Sequence, residues 1–90
     1  MRSVFTVKDI LAVMMHNAPV RIYQKPIAAF RHDSLVLRGE GLAHDAIRSG
    51  QNYLHFVVDS VDIHDGIADI VCVANKNQER DIVKAFYSGR

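Results

Sequence analysis

The sequence predicts one α+β domain, in which a small and mainly antiparallel sheet is centred on a C-terminal β-hairpin and packed by an N-terminal and a C-terminal helix. The hairpin is the strongest observation. Residues 53–74 read YLHFVVDSVDIHDGIADIVCVA, with apolar, β-branched arms on both sides of Asp65-Gly66. Asp-Gly in such a setting is typical of a two-residue type I′ turn, which needs positive φ at both central residues. Apolar residues at helical spacing near both termini predict the helices, and residues 1–90 suffice for a single core.

The composition is that of an ordinary folded protein, with 49% hydrophobic residues, 23% charged residues and a net charge of +1. We therefore expect neither disorder nor a strong attraction to nucleic acid or to an anionic membrane. The lone cysteine, Cys72, rules out an internal disulfide and is expected to act as a small buried hydrophobe. The sequence shows no signal-peptide pattern and no membrane-length apolar stretch, so a cytoplasmic location without membrane association is predicted.

The first helix is predicted from residue 7 to about residue 16. Thr6 and Asp9 have the spacing of a capping box, and one helical face collects the apolar residues Val7, Ile10, Leu11 and Met14. Asn17 suits a left-handed helix end, and Pro19 prevents the helix from continuing.

Residues 20–24 alternate between apolar and polar side chains. This pattern predicts a half-buried strand with Val20 and Ile22 on one face and Arg21 and Tyr23 on the other. Residues 27–31 fit either a strand or a helical turn, and residues 32–34 read as a turn. Residues 35–38 predict another strand, the sequence RGEG at 38–41 predicts a flexible connection, and residues 42–48 predict a short helix.

A two-residue turn fixes the register of the hairpin. His64 then lies opposite Ile67, Asp62 lies opposite Asp69, and Val58 would lie opposite Val73. This register places Val57 and Val61 on one face and Val58 on the other. Both faces are then apolar away from the turn, which is typical of a strand pair covered on each side. We therefore expect the hairpin at the centre of the sheet, with a helix over one face and a second helix or a second copy of the chain over the other.

The C-terminal helix is predicted to start at Asn75 or Asn77, and Gln78 stands three residues after Asn75. Its broad apolar stripe consists of Ile82, Val83, Ala85, Phe86 and Tyr87. Gly89 is expected to end it.

The hairpin register suggests one place for chemistry, since it brings Asp62, Asp69 and His64 onto one face. Two carboxylates and an imidazole can hold a divalent cation, or one carboxylate can acquire a raised pKa for acid–base work. A metal-assisted hydrolase is therefore one hypothesis. The alternative is that both carboxylates are exposed beside the turn or neutralised by a lysine or arginine.

A weak nucleic-acid-binding module is a second alternative. Arg21 with Tyr23, and Arg31 and His32 after Phe30, interleave cationic and aromatic side chains as single-strand-binding surfaces do. The sequence has no basic run and no RNA-recognition motif, which counts against this function. It also has no Gly-x-Ser-x-Gly elbow for a nucleophile. We expect neither catalysis nor a cofactor.

Three short motifs resemble small accessory proteins of bacteriophages and prophages: TVKDIL at 6–11, VRIY at 20–23 and DGIADIV at 65–71. The likeness spans about half of the chain, while residues 25–50 and the C-terminal helix depart from it. The resemblance implies an origin in a mobile element and action through binding, including inhibition of a host defence protein. It carries over no catalytic residue.

The function predicted from the sequence is a small, non-enzymatic binding or regulatory protein that contacts a protein partner and forms a homodimer. The absence of a catalytic signature and the two-faced apolar hairpin support this prediction.

Overall fold

The computed structural model describes residues 5–26 and 35–88, and it confirms the predicted α+β class. A four-stranded sheet is packed by helices. The elements in chain order are α1 (Val7–Ala12), β1 (Pro19–Gln24), β2 (Val36–Leu42), α2 (Ala43–Arg48), a 3₁₀ helix (Asn52–His55), β3 (Val57–His64), β4 (Ile67–Val73) and α3 (Lys76–Ser88). The predictions for residues 27–34 lie outside the described residues.

The sheet has the strand order β2-β1-β4-β3. The two outer pairs are antiparallel, whereas β1 and β4 run parallel in the middle. We expected the whole hairpin of β3 and β4 at the centre of the sheet, because both of its faces are apolar. In the structure β4 is central, but β3 is an edge strand. The reason is that β1 pairs with β4 after a long connection, a choice that no local pattern in the sequence encodes.

One face of the sheet carries the core. Its buried apolar strand residues are Val20, Ile22, Ala68, Ile70 and Cys72, and the alternation predicted in β1 is confirmed. α1 contacts both α2 and the 3₁₀ helix, and the three elements contribute the core side chains Val7, Leu11, Ala43, Tyr53 and Leu54. Alternation places the remaining strand side chains on the opposite face, which we call the second face.

α1 begins as predicted but ends four residues early. The capping box is present, with Asp9 N–H donating to Thr6 Oγ1 and Thr6 N–H donating to Asp9 Oδ2 at 2.9 Å. The helix stops at Ala12 because the following residues serve another element: the carbonyls of His16 and Ala18 accept hydrogen bonds from the backbone at the start of α2. Asn17 does not adopt the left-handed conformation expected at a helix end. Among the described non-glycine residues, Asp65 alone has a positive φ.

The RGEG stretch is not a flexible connection. It belongs to β2, which pairs with β1 and contains a bulge between the partners of Ile22 and Tyr23. Gly39 is required because the Tyr53 side chain packs against it, and not because the chain must be flexible there. A Cβ at this position would lie 2.6 Å from the hydroxyl oxygen of Tyr53. Arg38 beside it donates from Nη2 to Asn52 Oδ1 at 3.3 Å. Both contacts attach β2 to the 3₁₀ helix.

The hairpin turn is confirmed, with φ of 52° at Asp65 and 76° at Gly66. The predicted register holds from the turn to Ser60, which pairs with Val71. A bulge at Asp59 then shifts it, so that Val58 lies opposite Cys72 and not Val73. The bulge inserts one residue, which moves Val57 and Val58 each to the face opposite the one predicted.

α3 starts with the predicted cap. The backbone N–H of Asn75 donates to Gln78 Oε1, and the N–H of Gln78 donates to Asn75 Oδ1, both at 2.8 Å. Gln78 also donates from Nε2 to the carbonyl of His55 at 2.9 Å. Half-buried Ile82 and Val83 pack against the core. The predicted end at Gly89 lies outside the described residues.

Candidate functional site

A row of charged residues crosses the second face of the sheet. The strand register aligns Glu40 on β2 with Arg21 on β1, Arg21 with Asp69 on β4, and Asp69 with Asp62 on β3. Three carboxylates and one guanidinium therefore occupy neighbouring positions on four adjacent strands. The sequence predicted the Asp62–Asp69 part of this row, but Glu40 and Arg21 joined it only through the order of the strands.

His64 is bound to this row. Its Nε2 lies 2.6 Å from Asp69 Oδ2, and its Nδ1 lies 3.6 Å from Asp65 Oδ2. The hydrogen bond to Asp69 is the main cause that raises the pKa of His64 above its usual 6.5, with smaller contributions from Asp65 and Asp62. The other Asp69 oxygen, Oδ1, is buried and has no hydrogen-bond partner in the described part of the chain.

The neighbouring carboxylates differ in how they are neutralised. Asp59 at the bulge pairs with Lys25 Nζ at 3.0 Å, an ion pair that reaches across β4 from the end of β1 to β3. Asp69 is held by His64. Asp62 is exposed and makes no ion pair or side-chain hydrogen bond within residues 5–26 and 35–88. On the β3 edge of the second face, Asp62 is therefore a carboxylate without an ion pair among the described residues.

The structure brings Asp69 and His64 together and places Asp62 next to Asp69. However, no set of three His, Cys, Asp or Glu side chains in the described ranges is arranged to hold a metal ion. The metal-assisted hydrolase stays a prediction that no observation in the structure favours.

Two of the four residues predicted to bind nucleic acid lie in the described part of the chain. Arg21 and Tyr23 share the second face and are half-buried, while Arg31 and His32 lie outside the described residues. Arg21 lines an open groove of about 350 Å³ with Pro19, Val20, Glu40, Gly41, Leu42 and Ile67. Glu40 and Asp69 flank Arg21 on both neighbouring strands. This acidic setting opposes a phosphate backbone, because binding to nucleic acid depends on clustered positive charge.

Cys72 offers no nucleophile. It is fully buried in β4, and burial raises the pKa of its thiol to about 11. The predicted role of a small hydrophobe agrees with this environment.

The outer edge of β3 is a feature that the sequence pattern does not predict. The start of this edge is covered, since Val58 N–H donates to the Phe5 carbonyl at 2.8 Å and Val7 N–H donates to the Phe56 carbonyl at 3.0 Å. The remaining stretch, residues 60–64, has no strand beside it among the described residues, and we call it the free edge.

Along the free edge, the backbone N–H and C=O groups of successive residues point alternately toward β4 and away from it. His64 and Ile67 flank a two-residue turn, so they form a hydrogen-bonded pair, and the next bonded pairs are Asp62 with Asp69 and Ser60 with Val71. The residues between them, Val61 and Ile63, therefore direct their N–H and C=O groups away from β4. No strand among the described residues pairs with these groups, so they form an edge to which another strand can add.

The same two residues have exposed apolar side chains. Val61 is 42% exposed and Ile63 is 70% exposed, although their partners Ile70 and Ala68 on the same face are buried. The helical layer therefore ends before it reaches the free edge. Alternation in the sequence predicted their face correctly, but exposure depends on how far the helices extend, which the sequence pattern does not contain.

Within residues 5–26 and 35–88, no helix combines the length and the apolar character needed to cross a membrane. Comparison with protein-family models, with curated proteins and with solved structures finds no match for this chain.

Proposed function

We propose that this chain is a small non-enzymatic binding protein that acts by adding a strand of a partner protein to the free edge of β3. The supporting observation is the coincidence at Val61 and Ile63 of outward-directed backbone groups and exposed apolar side chains. Strand addition uses both: main-chain hydrogen bonds supply affinity, and contacts with alternate side chains supply selectivity.

Natural edge strands are usually blocked by charge, bulges or covering segments, because an unblocked edge promotes pairing. Here the start of β3 is blocked in two ways, by the bulge at Asp59 and by the segment that contains Phe5. Among the described residues, neither a bulge nor a covering segment lies at residues 60–64, and the charge in this stretch is that of Asp62. This part of β3, which contains Val61 and Ile63, is suited to recruit a strand.

The broader expectations from the sequence belong to the same proposal. The cytoplasmic setting, the origin in a bacteriophage or prophage and the inhibition of a host defence protein are all compatible with action through binding. Homodimer formation is also part of the prediction.

The proposal is tested by selecting binders from a library of random heptapeptides displayed on phage. We expect enriched peptides to lose binding to Ile63→Lys, because the lysine replaces an apolar contact and places a charge beside the added strand. Val13→Lys, directly after α1, is the matched control, since Val13 is also apolar and is 83% exposed. Peptides that bind Ile63→Lys as well as the wild-type chain, or a selection without enrichment, would contradict the proposed function.

A further inference from the structure

We propose that the free edge of β3 selects an extended peptide that carries a lysine or arginine between two apolar residues. This inference rests on the proposed function and names the chemistry of the partner. Its basis is the alternation of Val61, Asp62 and Ile63, which places one carboxylate between two apolar side chains on the exposed edge.

The geometry of strand addition assigns the three partner positions. In an antiparallel addition, Val61 and Ile63 form the hydrogen-bonded pairs, and their partner side chains lie on the core side of the sheet beside exposed apolar surface. Asp62 forms the non-hydrogen-bonded pair, in which the two Cα atoms are closest, at about 4.5 Å rather than 5.5 Å. The partner side chain opposite Asp62 therefore lies on the second face, directly beside its carboxylate.

The charges around Asp62 favour a cation at that position. Its neighbours on the second face are Asp69, whose Oδ2 is bound to His64, and Ser60 and His64 along its own strand. Asp59 at the bulge is already paired with Lys25. A lysine or arginine opposite Asp62 would neutralise the Asp62 carboxylate. A glutamate there would instead face two aspartates, Asp62 and Asp69.

A second copy of the chain fits this edge less well. A two-fold antiparallel pairing that uses both Val61 and Ile63 sets Val61 against Ile63 of the copy, so Asp62 lies directly opposite its own symmetry mate. Like charges directly opposite each other in a strand pair are destabilising. The other edge of the sheet is interrupted, because β2 has its bulge at Arg38 and glycines at 39 and 41.

The test uses three acetylated heptapeptides, Thr-Thr-Val-X-Val-Thr-Thr, with lysine, glutamine or glutamate as X. Each is titrated into the ¹⁵N-labelled chain at low salt, and the amide shifts of Val61 and Ile63 are followed. We expect the lysine peptide to bind about two- to fivefold more tightly than the glutamine peptide, and the glutamate peptide to bind least tightly. The preference should shrink in high salt because exposed charges are screened.

Charge reversal at the edge separates a specific contact from a general attraction. Asp62→Lys should reverse the order so that the glutamate peptide binds most tightly. Asp81→Lys on α3 makes the same charge change at another exposed aspartate and should leave the order unchanged. A reversal with Asp81→Lys as well would overturn the assignment to Asp62.

The remaining outcomes distinguish the two proposals. Equal affinities for the three peptides, all lost in Ile63→Lys, would overturn the cation preference and leave the proposed function standing. No shift at Val61 and Ile63 with any peptide at millimolar concentration would overturn both. Protection of these amides from hydrogen exchange at high protein concentration without peptide would identify a second copy as the occupant, and would overturn the cationic peptide.

Discussion

At the scale of single residues, two residues have roles that depend on one neighbour each. His64 depends on Asp69, and Gly39 depends on Tyr53. Each dependence can be tested by changing one atom group and reading out a property of its neighbour.

The hydrogen bond between His64 and Asp69 predicts a specific pH dependence. Because it raises the pKa of His64 in the folded chain, the stability it contributes is fully present below pH 6.5 and is lost as the pH rises through the higher folded value. A titration of the His64 ring by NMR should therefore show a pKa above 6.5. Asp69→Asn should lower this value and remove that part of the pH dependence of unfolding.

Asp62→Asn is the control for this titration. Asp62 makes a smaller contribution to the pKa of His64 than Asp69, so its removal should lower the value by less. An equal effect of both substitutions would show that general charge around the turn, and not the hydrogen bond, determines the pKa.

Gly39 should not accept a side chain. We expect Gly39→Ala to destabilise the chain by roughly 1–3 kcal/mol, because the added Cβ would lie 2.6 Å from the Tyr53 hydroxyl oxygen and Tyr53 is buried. The measurement is urea unfolding of Gly39→Ala in the wild-type background and in a Tyr53→Phe background. The loss should be smaller with phenylalanine, since the clashing oxygen is absent. An equal loss in both backgrounds would contradict the contact as the cause.

At the scale of elements, the helix ends are determined by local chemistry and the helix lengths by tertiary contacts. Both capping boxes that the sequence predicts are present, at Thr6 with Asp9 and at Asn75 with Gln78. The hydrogen bond from the Thr6 backbone holds the pKa of Asp9 below its usual 3.8. The box at α1 therefore contributes stability above pH 3.8, and this contribution is lost as the pH falls through the lower folded value.

The box at α3 should be the more consequential of the two. α3 packs on the core through half-buried Ile82 and Val83, and Gln78 ties its first turn to His55. Asn75→Ala should cost about 1 kcal/mol and should lower protection from hydrogen exchange first within α3.

Asn75→Ser is the matched control, because a serine hydroxyl can also accept the N–H of Gln78. It should retain most of the protection. Loss of protection spread equally over β4 and α3 would show that α3 does not open as a separate unit.

At the scale of the whole molecule, the parallel pairing of β1 and β4 organises the fold. It places Val20 and Ile22 beside Ala68 and Ile70 in the core, and it leaves β2 and β3 as the two edges. The same pairing assembles the charge row on the second face, since Arg21 meets Asp69 across it. The charge row is therefore a consequence of strand order and not of any one element.

The sequence predicted much of the local structure but only part of the site. Asp62, Asp69 and His64 were expected together because a two-residue turn fixes the register next to it. The bulge at Asp59 was not expected, and it ends the range over which that register holds. The exposure of Val61 and Ile63 was not expected either, because a pattern of alternation assigns a residue to a face without showing whether a helix reaches it.

By itself, the sequence determined the features whose causes lie within a few residues: the Asp65-Gly66 turn, the alternation of β1, and the caps at Thr6 and Asn75. These follow from backbone conformational preference and from hydrogen bonds between near neighbours. The tertiary structure alone decided that β1 lies parallel to β4, that β3 is an edge among the described strands and that Val61 and Ile63 are exposed. The physical reason is that an apolar strand is stabilised by burial against any suitable neighbour, so the choice among neighbours depends on the packing of the whole chain.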